Sequence, residues 1–350
     1  MAPVIRELKK RKVAFKLITS GQTEILFDEF TDYLGLIKPD ISFEYKRNKS
    51  SAVHFALWAV KIFFVALLSL RQEFGKQNKK GIYVIVHGDT VSSLLGALIA
   101  RIYGLKIVHI ESGLRSYNFL EPFPEELSRY IISRLADINF CPNTWCIDNL
   151  KKVKGVKVNT FQNTLIDIFN FVTKNTKKVT FADNLPKKYF VLVFHRQEHV
   201  MFGRQEAYDI FRTILRNEKR FPCVLIMHKL TSDFLRASGI NNKILRDKNI
   251  IPVSRLPHRQ FMKLIEKSQY VVTDGGSNQE ETYYLGKPCL LIRKHTERIE
   301  GLGENVVLSR MNKRVIKQFQ KNYRQYRRER VQTGASPAKI IVDYLIKQKL

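Results

Sequence analysis

A chain of 350 residues with 60 Lys/Arg against 32 Asp/Glu carries a formal charge of +28, and its 44% hydrophobic and 26% charged content is that of a globular protein. The length favours two domains over one. The four cysteines, Cys141, Cys146, Cys223 and Cys289, form no Cys-x-x-Cys pair, which argues against a zinc site or a disulfide framework and for a reducing cytosol. Residues 310–350 hold twelve Lys/Arg against Glu329 and Asp343. No helix-turn-helix, RRM or zinc-finger spacing accompanies that charge, so a solvated basic helix is preferred over a nucleic-acid or anionic-membrane arm.

The start, "MAPVIRELKKRK", reads as an amphipathic basic helix without the apolar stretch of a signal peptide. "VAFKLITS" (13–20) reads as a short buried strand. His54–Leu70 is 17 residues long and almost wholly apolar, with Lys61 inside it. A membrane span needs about 20 residues and tolerates a central lysine poorly. A helix buried at a domain or dimer contact is therefore the preferred reading, with shallow membrane attachment as the alternative.

Strands and helices then alternate: "GIYVIVHGD" (81–89), "VSSLLGALIARIYG", "KIVHIE" (106–111), "PEELSRYIISRLA" (124–136), and "INFCP" with "NTWCIDNLKK". A linking helix and a polar hinge fall near 165–188. The pattern restarts with "YFVLVFHR" (189–196), a helix near 203–217, "CVLIMH" (223–228), "NIIPVSR" (249–255), "PHRQFMKLIEKS", "YVVTDGG" (270–276), "NQEETYYLG" and "PCLLIRK" (288–294). This predicts an α/β protein of two doubly wound halves. Ligands of such sheets bind at the carboxyl ends of the strands, and two facing halves would put the site in the cleft between them.

Polar residues fall at those strand ends: Asp89, Glu111, His195 with Arg196, Asp274 and Arg293. One such residue would be a cap or a structural ion pair; five together point to function. In "DGGSNQEE" the glycines let backbone N–H groups approach a phosphate at a helix N-terminus. The loop is neither GxGxxG nor a Walker loop. Glu280 and Glu281 are expected in the first helical turn, where the dipole favours acids, and one of them is a candidate for ribose hydroxyls.

"HGDT", "HIESGLRS", "PFPEE", "FHRQE", "TDGGSNQEE" and "RKHTERIE", in this order, resemble the UDP-N-acetylglucosamine 2-epimerase family, over residues 1 to about 310. The resemblance implies two Rossmann-like domains in a glycosyltransferase-B (GT-B) arrangement with an interdomain active-site cleft. The expected layout is residues 1–165, then a UDP-binding domain over 166–312, then a basic helical segment over 313–350 crossing back to the first domain. It implies interconversion of UDP-GlcNAc and UDP-ManNAc by elimination and re-addition of UDP, in a cytoplasmic homodimer of cell-surface polysaccharide synthesis. No cofactor, metal, specific nucleic acid or transmembrane segment is expected, though weak association with a membrane surface is compatible.

Residue by residue, the resemblance assigns acid/base roles to Asp89, Glu111 and Glu125, and places His195 at the diphosphate. Gly275, Gly276 and Ser277 match the phosphate loop, Glu281 the ribose-binding acid, and Arg298 a further UDP contact. Leu256 and Phe261 lie where the family holds uracil. Arg115, also a candidate UDP ligand, and Arg129 would balance the charge of Glu111 and Glu125, leaving Glu121 and Glu126 as surface or capping residues.

Three positions depart from the family pattern. The family has a strand and a Gly-Thr-Arg-Pro-Glu loop ahead of the segment matching "MAPVIREL", so low activity of the chain as written is expected. Gln22-Thr23 stands where the family has Gln-His, in a region that serves regulation in bacterial members. The phosphate loop reads Gly-Gly-Ser where Ser-Gly-Gly is common. A hydrolysing epimerase, a GT-B glycosyltransferase and an inactive nucleotide-sugar-binding homologue remain alternatives.

Overall fold

The computed structural model describes residues 1–22, 33–35, 38–43, 52–74, 81–119, 121–174, 185–195, 204–239, 244, 246–332 and 334–348. They form two compact units, Met1–Ile168 with Ala335–Leu350, and Phe169–Gly334.

In the first unit, β1 (Ile18–Thr19) and β2 (Ile41–Ser42) form a short parallel ladder. A four-stranded parallel sheet follows in the order β3 (Tyr83–His87), β4 (Lys106–Ile110), β5 (Ile138–Cys141), β6 (Val156–Asn159). The central strands β4 and β5 are buried on both faces, as parallel strands require. Val108, Ile110 and Phe140 pack against Val4 and Leu8 of helix Ala2–Lys10 and Ile341, Val342 and Leu345 of helix Pro337–Lys347. Val86 and Ile107 pack against Ala97, Ala100 and Ile132, from helices Val91–Ile102 and Glu125–Leu135.

The second unit holds a six-stranded parallel sheet in the order β12-β11-β10-β7-β8-β9. Its strands are β7 (Phe190–Val193), β8 (Cys223–Met227), β9 (Ile250–Ser254), β10 (Val271–Thr273), β11 (Cys289–Leu291) and β12 (Val306–Leu308). The chain winds outward one way from β7 and the other way from β10. These two strands are neighbours, so their carboxyl ends flank the switch point where such sheets open a binding crevice. Helix Lys313–Asn322 contributes Ile316 and Phe319 to the core of this unit. The basic segment 313–350 is thus shared between the units.

The expected strand 13–20 forms only at Ile18–Thr19. Strands β6 and β12 and helix Lys229–Ala237 were not anticipated; β6 is a half-exposed strand with a weak apolar signal. Helix Ala52–Ser69 buries Trp58, Ile62 and Ala66, whereas Leu57, Val60, Phe64, Val65 and Leu68 are 38–67% exposed. Within its unit this helix is therefore covered on one face only. Among the described residues no helix is long and apolar enough to cross a membrane.

Candidate active site

The carboxylates of the first unit gather at neighbouring strand ends. Asp89 follows β3, and Glu111 follows β4, which pairs with β3 up to His87 and Ile110. The cap of the helix after Asp89 is Thr90, whose side chain accepts from Ser93 N, so Asp89 is released from capping. Glu111 has φ 64°, a left-handed conformation uncommon outside glycine. Its Oε1 accepts from Asn163 Nδ2 at 2.7 Å, and its Oε2 lies 3.6 Å from His87 Nε2. A Cβ on Gly88 would come within 3.3 Å of Oε2, so the glycine leaves room for this carboxylate. Glu125 opens helix Glu125–Leu135 after Pro124, in the turn where the helix dipole favours an acid.

One turn further along that helix, Arg129 pairs with Asp89, which draws Asp89 to the helix that carries Glu125. Arg129 also reaches Glu126 at 3.1 Å, and Arg115 Nε reaches Glu126 at 2.5 Å. Glu126 accepts two backbone N–H groups as well, from Ser116 at 3.0 Å and Tyr117 at 3.3 Å. It is fully buried. The expectation that Glu126 is a surface or capping residue is therefore corrected: it is the hub that two arginines share. Arg115 spends its charge on Glu126, with the rings of Tyr117 and Tyr130 each 5.3 Å away. Beneath the cluster His109 bonds Gly88 O at 2.8 Å. Burial pushes its pKa down to about 4, against the raising effect of the Gly88 carbonyl and of Glu111 and Asp89, so it is neutral at pH 7.

In the second unit His195 follows β7 and Asp274 follows β10. Asp274 is fully buried; Oδ2 accepts from His195 N at 2.8 Å, and Oδ1 lies 3.0 Å from His195 Nδ1. Helix Gly276–Tyr284 starts without a side-chain cap, leaving its first N–H groups for a ligand. Both loop glycines are required by close approach. A Cβ on Gly275 would meet Asn278 Oδ1 at 2.8 Å, and one on Gly276 would meet Arg298 Nε at 2.8 Å and Glu297 Oε1 at 2.9 Å. Ser277 is exposed at the helix start.

Because the helix begins at Gly276, Glu280 and Glu281 lie in its second turn, not its first as expected. Glu280 is buried and pairs with Arg298, so the Arg298 guanidinium sits against the loop. Glu281 accepts from Asn278 Nδ2 at 2.9 Å and lies 2.8 Å from His258 Nε2, which fixes its orientation. Leu256 and Phe261 are half-buried, on the approach to and within helix His258–Lys267. Asn163, Asn278 and His258 were not singled out from the sequence; their only signal was proximity to a loaded strand or helix end. Arg196 and Thr23 lie outside the described residues, while Gln22 accepts from Ser92 N at 2.8 Å. Among the described residues, no group of three or more His, Cys, Asp or Glu side chains is arranged to hold a metal.

One unit thus gathers carboxylates near its strand ends, and the other sets a helix start without a side-chain cap beside a histidine. A family model described as UDP-N-acetylglucosamine 2-epimerase matches residues 6–340. The UDP-N-acetylglucosamine 2-epimerase of Campylobacter jejuni is 30% identical over 339 residues, which are 92% of this chain and 85% of the relative. The Bacillus subtilis enzyme of the same name is 30% identical over 306 residues, 86% of this chain and 77% of the relative. Among solved structures, the S. aureus MnaA–UDP co-structure has a TM-score of 0.83 at 27% identity, covering 99% of this chain and 92% of that one. The UDP-GlcNAc 2-epimerase from Neisseria meningitidis bound to UDP-GlcNAc also has a TM-score of 0.83, at 26% identity, covering 99% and 96%. The match runs through the carboxylate cluster and the glycine loop alike, and this chain belongs to the UDP-N-acetylglucosamine 2-epimerase family, a family of isomerases.

Proposed function

We propose that the protein interconverts UDP-GlcNAc and UDP-ManNAc by elimination and re-addition of UDP. The observation that carries this reading is the gathering of carboxylates on adjoining elements: Asp89 held by Arg129, Glu111 held by Asn163, and Glu125 one turn before Arg129 on the same helix. C2 of the sugar is not adjacent to a carbonyl, so its proton is poorly acidic. In the elimination a carboxylate takes the C2 proton, the C–H pair becomes the C1–C2 double bond, and the C1–O pair leaves with UDP. Return of a proton to the opposite face of the glycal, with re-addition of UDP at C1, gives the epimer. Delivery to two faces calls for more than one acid/base group within hydrogen-bond reach. Gly275, Gly276 and Ser277 would bind the diphosphate, His195 and Arg298 would face its growing charge, and Glu281 would take the ribose. Leu256 and Phe261 would line the uracil side. The UDP and UDP-GlcNAc held by the S. aureus and N. meningitidis relatives support the substrate class. A glycosyltransferase needs one base at most, so the carboxylate cluster speaks against it.

The test is UDP-GlcNAc incubated with the protein in D₂O. Epimerisation places deuterium at C2 and forms UDP-ManNAc. Net release of free ManNAc and UDP identifies a hydrolysing enzyme, and retention of the C2 proton in an active preparation refutes the reading. The exposed stripe Leu57, Val60, Phe64, Val65 and Leu68 supports a homodimer, since a second copy offers the same stripe to cover it. Phe64→Glu should shift the sedimentation mass to the monomer. Four free, buried cysteines support a cytoplasmic setting.

A further inference from the structure

His195 is held from several sides. Strands β7 and β10 are paired with Val193 opposite Thr273, which sets His195 and Asp274 side by side. The buried Asp274 carboxylate accepts from the backbone N–H of His195 at 2.8 Å, and its other oxygen lies at ion-pair distance, 3.0 Å, from ring nitrogen Nδ1. His228, at the end of β8, stacks on the ring with centroids 4.9 Å apart and an interplanar angle of 29°. Burial, together with the charges of His195 and Arg255, pushes the pKa of His228 down to about 4, so the stacking partner is neutral at pH 7. At the ring edge the Gly275 backbone is so close that a Cβ there would lie 3.0 Å from Cε1. The His195 side chain is nevertheless 35% exposed, so the ring reaches the surface of its unit.

We propose that Asp274 is the positioning residue of His195: its carboxylate keeps a proton on Nδ1 and, with His228 and Gly275, fixes the ring so that Nε2 is the nitrogen presented to the nucleotide. The catalytic consequence rests on the placement of His195 at the diphosphate in the reading above. A histidine's reacting nitrogen is set by what the other nitrogen touches. A carboxylate at Nδ1 holds the tautomer and stabilises the imidazolium, without itself meeting the substrate. As the C1–O bond breaks, negative charge grows on the departing diphosphate; the imidazolium that Asp274 stabilises carries a proton on both nitrogens, so Nε2–H can donate to that charge without reorganisation while Nδ1–H stays with the carboxylate. Asp274 at the same time ties the β7 and β10 loops together. A purely structural role would use only the bond to His195 N.

Asp274→Asn keeps the side-chain volume and an acceptor for His195 N, so it separates the two roles. In protein labelled with ¹⁵N-histidine, the parent should show His195 protonated at Nδ1 as well as Nε2 at neutral pH, the imidazolium held by Asp274. In Asp274→Asn the amide N–H can face Nδ1, so the Nδ1 proton should be lost and the ring left neutral with its one proton on Nε2. This readout needs no turnover. In the epimerase assay Asp274→Asn should lower kcat about 10–100-fold, the usual effect of removing an orienting partner, with KM within about three-fold. Combined with His195→Gln it should lower kcat no further than His195→Gln alone. Asp274→Glu, which retains the charge on a longer side chain, should recover part of the loss and keep Nδ1 protonated. A parent without a proton on Nδ1, an unchanged ring in Asp274→Asn, or losses that multiply in the double variant would overturn the proposal. If the Nδ1 proton is lost but neither His195→Gln nor Asp274→Asn alters turnover, Asp274 still positions the ring and it is the placing of His195 at the diphosphate that fails.

Discussion

Replacing Glu126 by Gln removes one charge and almost no volume, which isolates the electrostatic part of the buried network. Glu126 Oε1 faces Arg115 Nε at 2.5 Å and Tyr117 N at 3.3 Å; Oε2 faces Ser116 N at 3.0 Å and Arg129 Nη1 at 3.1 Å. All four partners are donors. Whichever way the Gln amide is turned, its NH₂ meets two of them. The variant thus loses two bonds, and of Arg129 and Arg115, whose side chains are 4% and 11% exposed, one faces the amide NH₂ and the other a neutral oxygen. Breaking a buried pair from one side typically costs about 3–5 kcal/mol. At about 2–4 °C per kcal/mol for a domain of this size, the melting transition of the unit holding Glu126 should fall by roughly 10 °C. Calorimetry at pH 7 reads the shift, with the transition of the second unit as internal control. Turnover should fall too, because Arg129 also carries Asp89. A melting temperature within about 2 °C of the parent would show that water enters the cluster and screens it, and would refute the hub.

Asp89→Asn, Glu111→Gln and Glu125→Gln should each lower turnover about 10²-fold or more while UDP affinity by calorimetry stays within a few-fold, as for loss of general acid–base catalysis; near-parental rates in all three would remove the acid/base assignment. His109 titrates at about 4 when folded against 6.5 for the free side chain. The unfolded chain therefore takes up a proton first, and stability present above pH 6.5 is lost as pH falls towards 4, by about 2–3 kcal/mol at pH 4.5. Urea midpoints across pH 4.5–7 should show this slope, and His109→Gln should flatten it. Gly276→Ala should weaken UDP binding about ten-fold or more, since its Cβ collides with Arg298 and Glu297 at the start of the anion-binding helix. Phe319→Ala, in the core of the second unit, should cost about 3–5 kcal/mol by denaturant unfolding; a smaller effect would mean that helix Lys313–Asn322 is peripheral.

The segment around Glu121–Arg129 shows how far sequence reading reaches. That acids cluster after β4 is plain in the letters, and so is the start of a helix near Pro124. Which acid is buried is not. Glu125 and Glu126 are adjacent and chemically alike. Helix geometry turns the second inward, and Arg115, brought from before the turn, meets it there. The start of the helix after β10 escaped for a related reason. Two glycines are poor helix formers, so the local signal placed the first turn later than the backbone does, and Glu280 and Glu281 were set in the wrong turn.

Sequence alone determined the alternation of strands and helices, the two successive wound halves, and the loading of strand ends with Asp89, Glu111, His195 and Asp274. These depend on periodicity, turn chemistry and chain order, which are local. Which groups meet was settled by the packing of distant segments. It paired Asp89 with Arg129 forty residues away, set Asp274 against His195 across the β7–β10 ladder, and, among the described residues, buried Trp58, Ile62 and Ala66 of the apolar helix Ala52–Ser69 while leaving Leu57, Phe64 and Leu68 exposed. It also divided one uniformly basic stretch, sending Ile316 and Phe319 into one core and Ile341, Val342 and Leu345 into another. A side chain's composition states that it must be buried or paired. The partner is set by which distant surfaces the backbone brings within a few ångströms, and no local window contains that information.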